Sequence, residues 1–184
     1  MKRVFIVHGW EFSPEQHWYQ WLKKELEKKG FKVIVPSMPN TAAPKIESWV
    51  KTLSNTVGTP DKDTVLVGHS IGCQAILRYL QKNGPVCGCV LVAPWFTLTP
   101  AALPDDDYQA IAKPWLETPI TFTKVKTIAI FSDDDPYVPQ ENITLMEQRA
   151  GAKIVLDKEK GHFTSDEGAT TLPSALKAVL ELAK

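Results

Sequence analysis

A chain of 184 residues, 43% hydrophobic and 23% charged, has the size and composition of one globular domain spanning 1–184. Twenty-one Lys and Arg against 21 Asp and Glu leave no net charge, and no basic block offers contacts to a nucleic acid. No apolar run is long enough to span a bilayer, and MKRVFIVHGW has neither the apolar length nor the cleavage site of a secretory signal, so no membrane partner and a cytoplasmic setting are expected.

The first strand is predicted over Val4–Val7. Ser13-Pro14-Glu15-Gln16 then has the form of a capping box with proline at the first helical position. The helix it opens is predicted to run through Trp18, Trp21, Leu22 and Leu26 to a stop at Gly30, with Lys23–Lys29 as its solvated face. Further strands are predicted at Lys32–Val35, Thr64–Val67, Cys89–Val92, Thr127–Phe131 and Lys153–Leu156, each a short apolar run of the kind buried on both faces. Helices fall between them: Ile46 to Val57 at period 3.6, Ile71 to Leu80 ending near Gly84-Pro85, and Gln140–Ala150. Pro173–Ala183 forms the last helix.

Regular alternation of strand and helix implies a mostly parallel sheet of about six strands with helices on both faces. One segment breaks it. Pro94 to Lys126 is too long for a simple connection and should carry a short helix from about Asp107 to Ala112 across the top of the sheet. Cys73, Cys87 and Cys89 are odd in number and fit no common zinc spacing, so they read as small buried hydrophobes, and no metal or cofactor is expected.

Chemistry enters at Gly68-His69-Ser70-Ile71-Gly72, where an apolar strand gives way to a helical period. G-x-S-x-G in that setting is a nucleophile elbow. The glycines leave room for a backbone that pushes the Ser70 hydroxyl out of the strand end; the competing reading is a simple helix N-cap. A serine needs a base and the base an orienting carboxylate, in the chain order Ser, Asp or Glu, His. Of the four histidines only His162 follows the elbow, just beyond the last strand. The acid should follow the preceding strand, where Asp133-Asp134-Asp135 stands; Asp135 is chosen because Asp-x-x-Val-Pro places it in the turn before a helix. Asp133 and Asp134 read as loop or cap residues, and Asp105–Asp107 as a solvated helix start. Oxyanion donors are expected from the backbone of Ile71 and of Trp10. Gly9, Trp95, Phe96 and Phe163 are the expected substrate contacts, with Trp10 beside them and Trp115 if the segment folds back. Strand order 2-1-3-4-5-6 would bring His8-Gly9-Trp10 and Ser70 together at the switch point.

With these residues in place, the chain resembles the small α/β-hydrolases of the retinoblastoma-binding-protein and YdeN-like serine hydrolase family. The likeness runs over essentially the whole length. It is carried by the early His8-Gly9 loop, the H-W-x-x-W-L-K-K-E-L helix from His17 to Leu26, and Met38-Pro39-Asn40. G-H-S-x-G, D-D-P-x-x-P from Asp134 to Pro139, and Gly161-His162-Phe163 complete it. The resemblance implies an α/β-hydrolase-like three-layer fold with a minimal cap, a Ser70, Asp135, His162 triad, and cleavage of esters or small amides through an acyl-enzyme. An acyltransferase, or a hydrolase-like interaction scaffold without turnover, are the alternatives. Animal members of the family take their name from an L-x-C-x-E element that binds retinoblastoma protein. Leu53-Ser54-Asn55-Thr56-Val57 lacks its cysteine and glutamate, so that partner is not expected.

Overall fold

Six apolar runs pair side by side in the computed structural model, which describes residues 1–184. They are β1 (Arg3–Val7), β2 (Lys32–Ile34), β3 (Thr64–His69), β4 (Gly88–Val92), β5 (Thr127–Ser132) and β6 (Lys153–Asp157). The order is β2-β1-β3-β4-β5-β6, with every pair parallel. Each residue of β3, β4 and β5 is buried, which is why these strands carry no polar alternation. Edge strand β6 keeps Leu156 50% exposed.

Helices α1 (Tyr19–Glu27) and α6 (Pro173–Leu182) pack together over one face of the sheet. Helices α2 (Ile46–Val57) and α3 (Ile71–Asn83) pack together over the other, where right-handed crossover also puts α5 (Glu141–Ala150). The fold is a three-layer α/β sandwich. Chain connections from β1 and β3 leave in opposite directions, so the C-terminal ends of these two neighbours open a crevice.

Strand bounds differ from the expected ones by a residue or two, and two helices differ by several. The first helix begins at Tyr19 rather than at the Ser13 box. Ser13 N–H does donate to Gln16 Oε1 (2.6 Å), so half of the box forms. His17 then adopts φ +55, which interrupts any helix, and its ring is drawn off to accept the Ser165 N–H at 2.9 Å. Helix α4 spans Asp106–Glu117 instead of ending near Ala112. Asp105 caps it by accepting the Tyr108 N–H at 3.0 Å. The helix continues past Pro114, whose missing N–H frees only the carbonyl of Ala110, an exposed residue that water can serve.

What holds α4 down is Arg78 on α3. Its guanidinium is buried, 6% exposed, and donates to the carbonyls of Trp115 and Thr118 at the end of α4, both at 2.9 Å. It also donates to the side-chain oxygen of Gln74, whose amide in turn donates to the Trp95 carbonyl. No carboxylate pairs with it; burial lowers its pKa to about 10, and the oxygen-rich C-terminal end of α4 supplies the compensating field. Trp115 locks the same helix by donating Nε1–H to the Pro44 carbonyl (2.9 Å) and packing edge-on against Trp49. Arg78→Met leaves the buried Trp115 carbonyl without its donor and releases the part-buried Thr118 carbonyl to water. It should therefore cost about 2–3 kcal/mol, read as a lower urea midpoint, with faster amide exchange confined to residues 106–126.

Candidate active site

At the top of β3 the chain makes the elbow. Ser70 has φ +53 and ψ −122, a conformation a non-glycine residue adopts only under constraint. Its N–H is held by the Val92 carbonyl (2.9 Å), and its own carbonyl accepts from Cys73 N–H (2.9 Å). Both flanking glycines are required by contact. A Cβ at Gly68 would sit 2.8 Å from the Cys73 nitrogen on α3; one at Gly72 would sit 2.4 Å from the Val7 carbonyl oxygen on β1. The strand below and the helix beside Ser70 are thus pressed as close as backbone allows.

Past β6, the turn at Gly161 (φ +50) and Phe163 (φ +59) sets His162 against the loop that follows β5. Nδ1–H of His162 donates to Asp135 Oδ2 at 2.8 Å, with side chains only 7% and 3% exposed. The other carboxylate oxygen of Asp135 accepts the N–H groups of Tyr137 (2.9 Å) and Val138 (3.1 Å). Its neighbours do different work. Asp134 accepts from Ser132 Oγ–H (2.6 Å) and Gly161 N–H (2.8 Å), which hold its pKa below the usual carboxylate range, Ser132 most. Asp133 accepts the Glu159 N–H (2.8 Å). Two aspartates pin the loop, and the third faces the imidazole.

Ser70 and His162 open into one cleft of about 460 Å³. They are not hydrogen-bonded to each other in this conformation, a looseness common before substrate is bound. Trp10, Phe12, Trp95, Leu98, Tyr108 and Tyr137 form its apolar wall; the 3₁₀ turn Pro100–Ala102 and the start of α4 roof it. The N–H of Trp10 has no backbone acceptor, and that of Ile71 heads α3, where first-turn amides lack intrahelical partners.

Four of the expected contacts lie elsewhere. Phe96 turns away from Trp95 and packs edge-on against Phe122, under the Arg149 guanidinium. Its direction is set by Asn142, a fully buried side chain that accepts the Phe96 and Thr97 N–H groups (2.6 and 3.1 Å). Phe163 is fully buried, its left-handed backbone sending the ring into the core. Trp115 is taken up by Pro44 and Trp49. Gly9 does not line the cleft but lies under the Phe12 ring, 3.5 Å from Ser70 Cβ measured from where its own Cβ would stand. Tyr108, stacked on Trp10 at 5.1 Å, and Tyr137, edge-on to His162 at 5.2 Å, are wall residues that the sequence reading passed over. Tyr137 was visible as the x of D-D-P-x-x-P; Tyr108 had no local signal.

A hydroxyl strained out of a strand end, an imidazole and a buried carboxylate around one cleft can pass a proton and attack an acyl carbon. A family model described as serine hydrolase matches residues 4–181. The chain belongs to the serine hydrolase family. It is similar to YdeN of Bacillus subtilis (strain 168), with 35% identity over 182 residues, 94% of this chain and 91% of that one. It is also similar to the serine hydrolase RBBP9 of Rattus norvegicus, with 27% identity covering 82% and 80% of the two chains. The crystal structure of the Bacillus subtilis ydeN gene product superposes with a TM-score of 0.88 at 30% identity, covering 99% and 98%. The protein is therefore an enzyme of the serine hydrolase type with the α/β-hydrolase fold.

In this serine hydrolase the other histidines are structural neighbours of the site. His8 donates Nδ1–H to the Gly9 carbonyl (3.0 Å) and accepts the Met38 N–H at Nε2 (3.1 Å), tying the loop after β1 to the Met38-Pro39-Asn40 turn. Burial holds its pKa below the ordinary histidine value. No three His, Cys, Asp or Glu side chains are grouped to hold a metal ion, and no helix is long and apolar enough to cross a membrane. Cys73 and Cys89 are buried with thiol pKa values pushed up by desolvation, that of Cys89 to about 11; Cys87 is half-buried.

Proposed function

We propose that this enzyme hydrolyses carboxylic esters or small amides of short acyl chains through a Ser70 acyl-enzyme. The observation that carries the reading is the buried His162–Asp135 bond at 2.8 Å beside a cleft that also receives the strained Ser70. Ser70 Oγ attacks the carbonyl carbon while His162 Nε2 takes its proton, and the N–H groups of Ile71 and Trp10 receive the charge on the carbonyl oxygen. The tetrahedral intermediate collapses, expelling the alcohol or amine with the proton from Nε2. Water then gives its proton to Nε2 and attacks the acyl carbon, releasing the acid and restoring Ser70. The opening of the cleft to solvent supports water as the acceptor, and the backbone strain kept at Ser70 supports turnover over a passive scaffold. The three free cysteines fit a cytoplasmic setting.

Fluorophosphonate should label the protein once, at Ser70, and absence of labelling would overturn the reading. Substrate length is the next test. A wall of Trp10, Trp95 and Leu98 along one side of a cleft open to solvent is expected to bury only a few methylenes. Each contributes about 0.8 kcal/mol, or roughly fourfold in kcat/KM. Across p-nitrophenyl esters, kcat/KM should rise from acetyl to short acyl chains and then level off, without activation at an oil–water interface. A rise that continues to long chains would contradict the short-acyl assignment.

A further inference from the structure

Two buried polar side chains next to the site have no part in the proton transfers above. Nε2 of His69 lies 2.8 Å from the carbonyl oxygen of His162, and its Nδ1 lies 2.6 Å from the Tyr19 hydroxyl. A carbonyl only accepts, so Nε2 carries the proton; in the neutral ring Nδ1 is then the acceptor, and the Tyr19 O–H donates to it. Both side chains are fully buried, and desolvation holds the His69 pKa well below the ordinary histidine value, keeping the ring neutral.

We propose that His69, its tautomer fixed by the His162 carbonyl and its ring held in place by the Tyr19 hydroxyl, is a positioning residue that sets the placement of His162 relative to Ser70. The inference rests on the roles proposed for those two residues. His69 immediately precedes Ser70, so its backbone is continuous with the strained elbow while its side chain grips the residue that carries the imidazole, 93 positions later. The turn it grips needs external support. Gly161 and Phe163 both have positive φ, a conformation that Phe163 holds against the preference of a residue with a Cβ. The opposite side of His162 is held by Glu167, whose Oε2 accepts the His162 N–H at 2.9 Å. With Asp135 on Nδ1, the residue is fixed at carbonyl, amide and ring, leaving Nε2 as its one free polar atom. Releasing the carbonyl lets the turn drift, and a displacement of about 1 Å at a reacting group costs on the order of 10²-fold in rate. The loss falls mainly on kcat, because His69 does not itself line the cleft and meets its wall only from behind, stacked on Phe12 at 5.5 Å.

The test compares the wild-type protein with His69→Leu, His69→Gln and Tyr19→Phe, measuring kcat, KM and the thermal midpoint on a short p-nitrophenyl ester. Glutamine places an amide donor near the position of imidazole Nε2; leucine has none. His69→Leu should lose on the order of 10²-fold in kcat with KM within about twofold. His69→Gln should recover most of that loss, and Tyr19→Phe, which removes the bond that holds the ring at Nδ1, should lose about tenfold in kcat alone. His69→Gln as impaired as His69→Leu would overturn the proposal, since the donor would not matter. So would wild-type kcat in Tyr19→Phe and His69→Leu with only the thermal midpoint lowered. If His69→Leu does not fold, the isosteric Tyr19→Phe decides by the same split between kcat and KM. An inert, unlabelled wild-type protein would overturn the serine hydrolysis mechanism and this inference together, whereas failure of the inference alone leaves the wild type active.

Discussion

Ser70→Ala should lower turnover on the order of 10⁶-fold and abolish fluorophosphonate labelling, while the thermal midpoint stays close to wild type. Alanine removes the hydroxyl but keeps the Cβ, so the backbone strain at φ +53 is unchanged. Ser70→Gly separates the two effects. It is equally inactive, yet glycine adopts this conformation freely, so the variant should be more stable by about 1 kcal/mol. Mass spectrometry of the labelled protein, with calorimetry on both variants, checks the pair. Intact labelling of Ser70→Ala would place the nucleophile elsewhere; no gain in Ser70→Gly would mean that the elbow stores no strain. The expected opposition of stability and activity at one residue has a plain cause. The conformation that projects Oγ into the cleft is one the chain adopts only because β3, β4 and α3 enforce it.

Asp135→Asn should lower kcat on the order of 10⁴-fold with little change in folding. The asparagine oxygen still accepts from Tyr137 and Val138 N–H, so the loop keeps its shape. Its amide, however, offers a donor to His162 Nδ1. The imidazole then carries its proton on Nε2 and has no lone pair for the Ser70 hydroxyl. Asp134→Asn should keep kcat within a few-fold, because its oxygen still receives Ser132 Oγ–H and Gly161 N–H. Its effect is on stability and has a pH sign. The folded pKa of Asp134 is lowered, so its contribution is present above the ordinary carboxylate value and is lost as pH falls. The stability gap between wild type and Asp134→Asn should therefore close in acid. Steady-state kinetics and unfolding curves on both variants separate the roles, and a crippled Asp134→Asn would reverse the assignment within the acidic run.

Much of the molecule was legible before any coordinates. Short apolar β-branched runs alternating with helical periods gave the six strands, whereas their order entered only as the condition under which the ends of the first and third strands meet, and it is the order found. Gly68 and Gly72 around Ser70 were readable because each reflects a local demand, a backbone approach that no Cβ permits. His162 followed from chain order. Asp135 was chosen from the turn-and-proline pattern after β5; in the structure it faces the His162 ring, while Asp134 and Asp133 accept N–H groups of the loop after β6.

Other features had no local expression. Nothing in Trp95-Phe96 says which ring enters the cleft; Asn142, 46 residues away, decides it by seizing the Phe96 N–H. The helix expected to stop near Ala112 continues to Glu117 because Arg78, buried on α3, holds the carbonyls at its end. Phe163 looked like a wall residue, and its left-handed backbone buried it. His69 looked like a spacer in G-x-S-x-G and joins Tyr19 to the carbonyl of His162. Periodicity and glycine placement record what each residue needs from its neighbours in the chain, and so the sequence by itself determined the layers, the elbow and the order of the candidate groups along the chain. Which side chains meet across 40 or more positions depends on how the finished layers pack and on which buried donors find acceptors. That pairing is set by the whole core at once, and only the tertiary structure decided it.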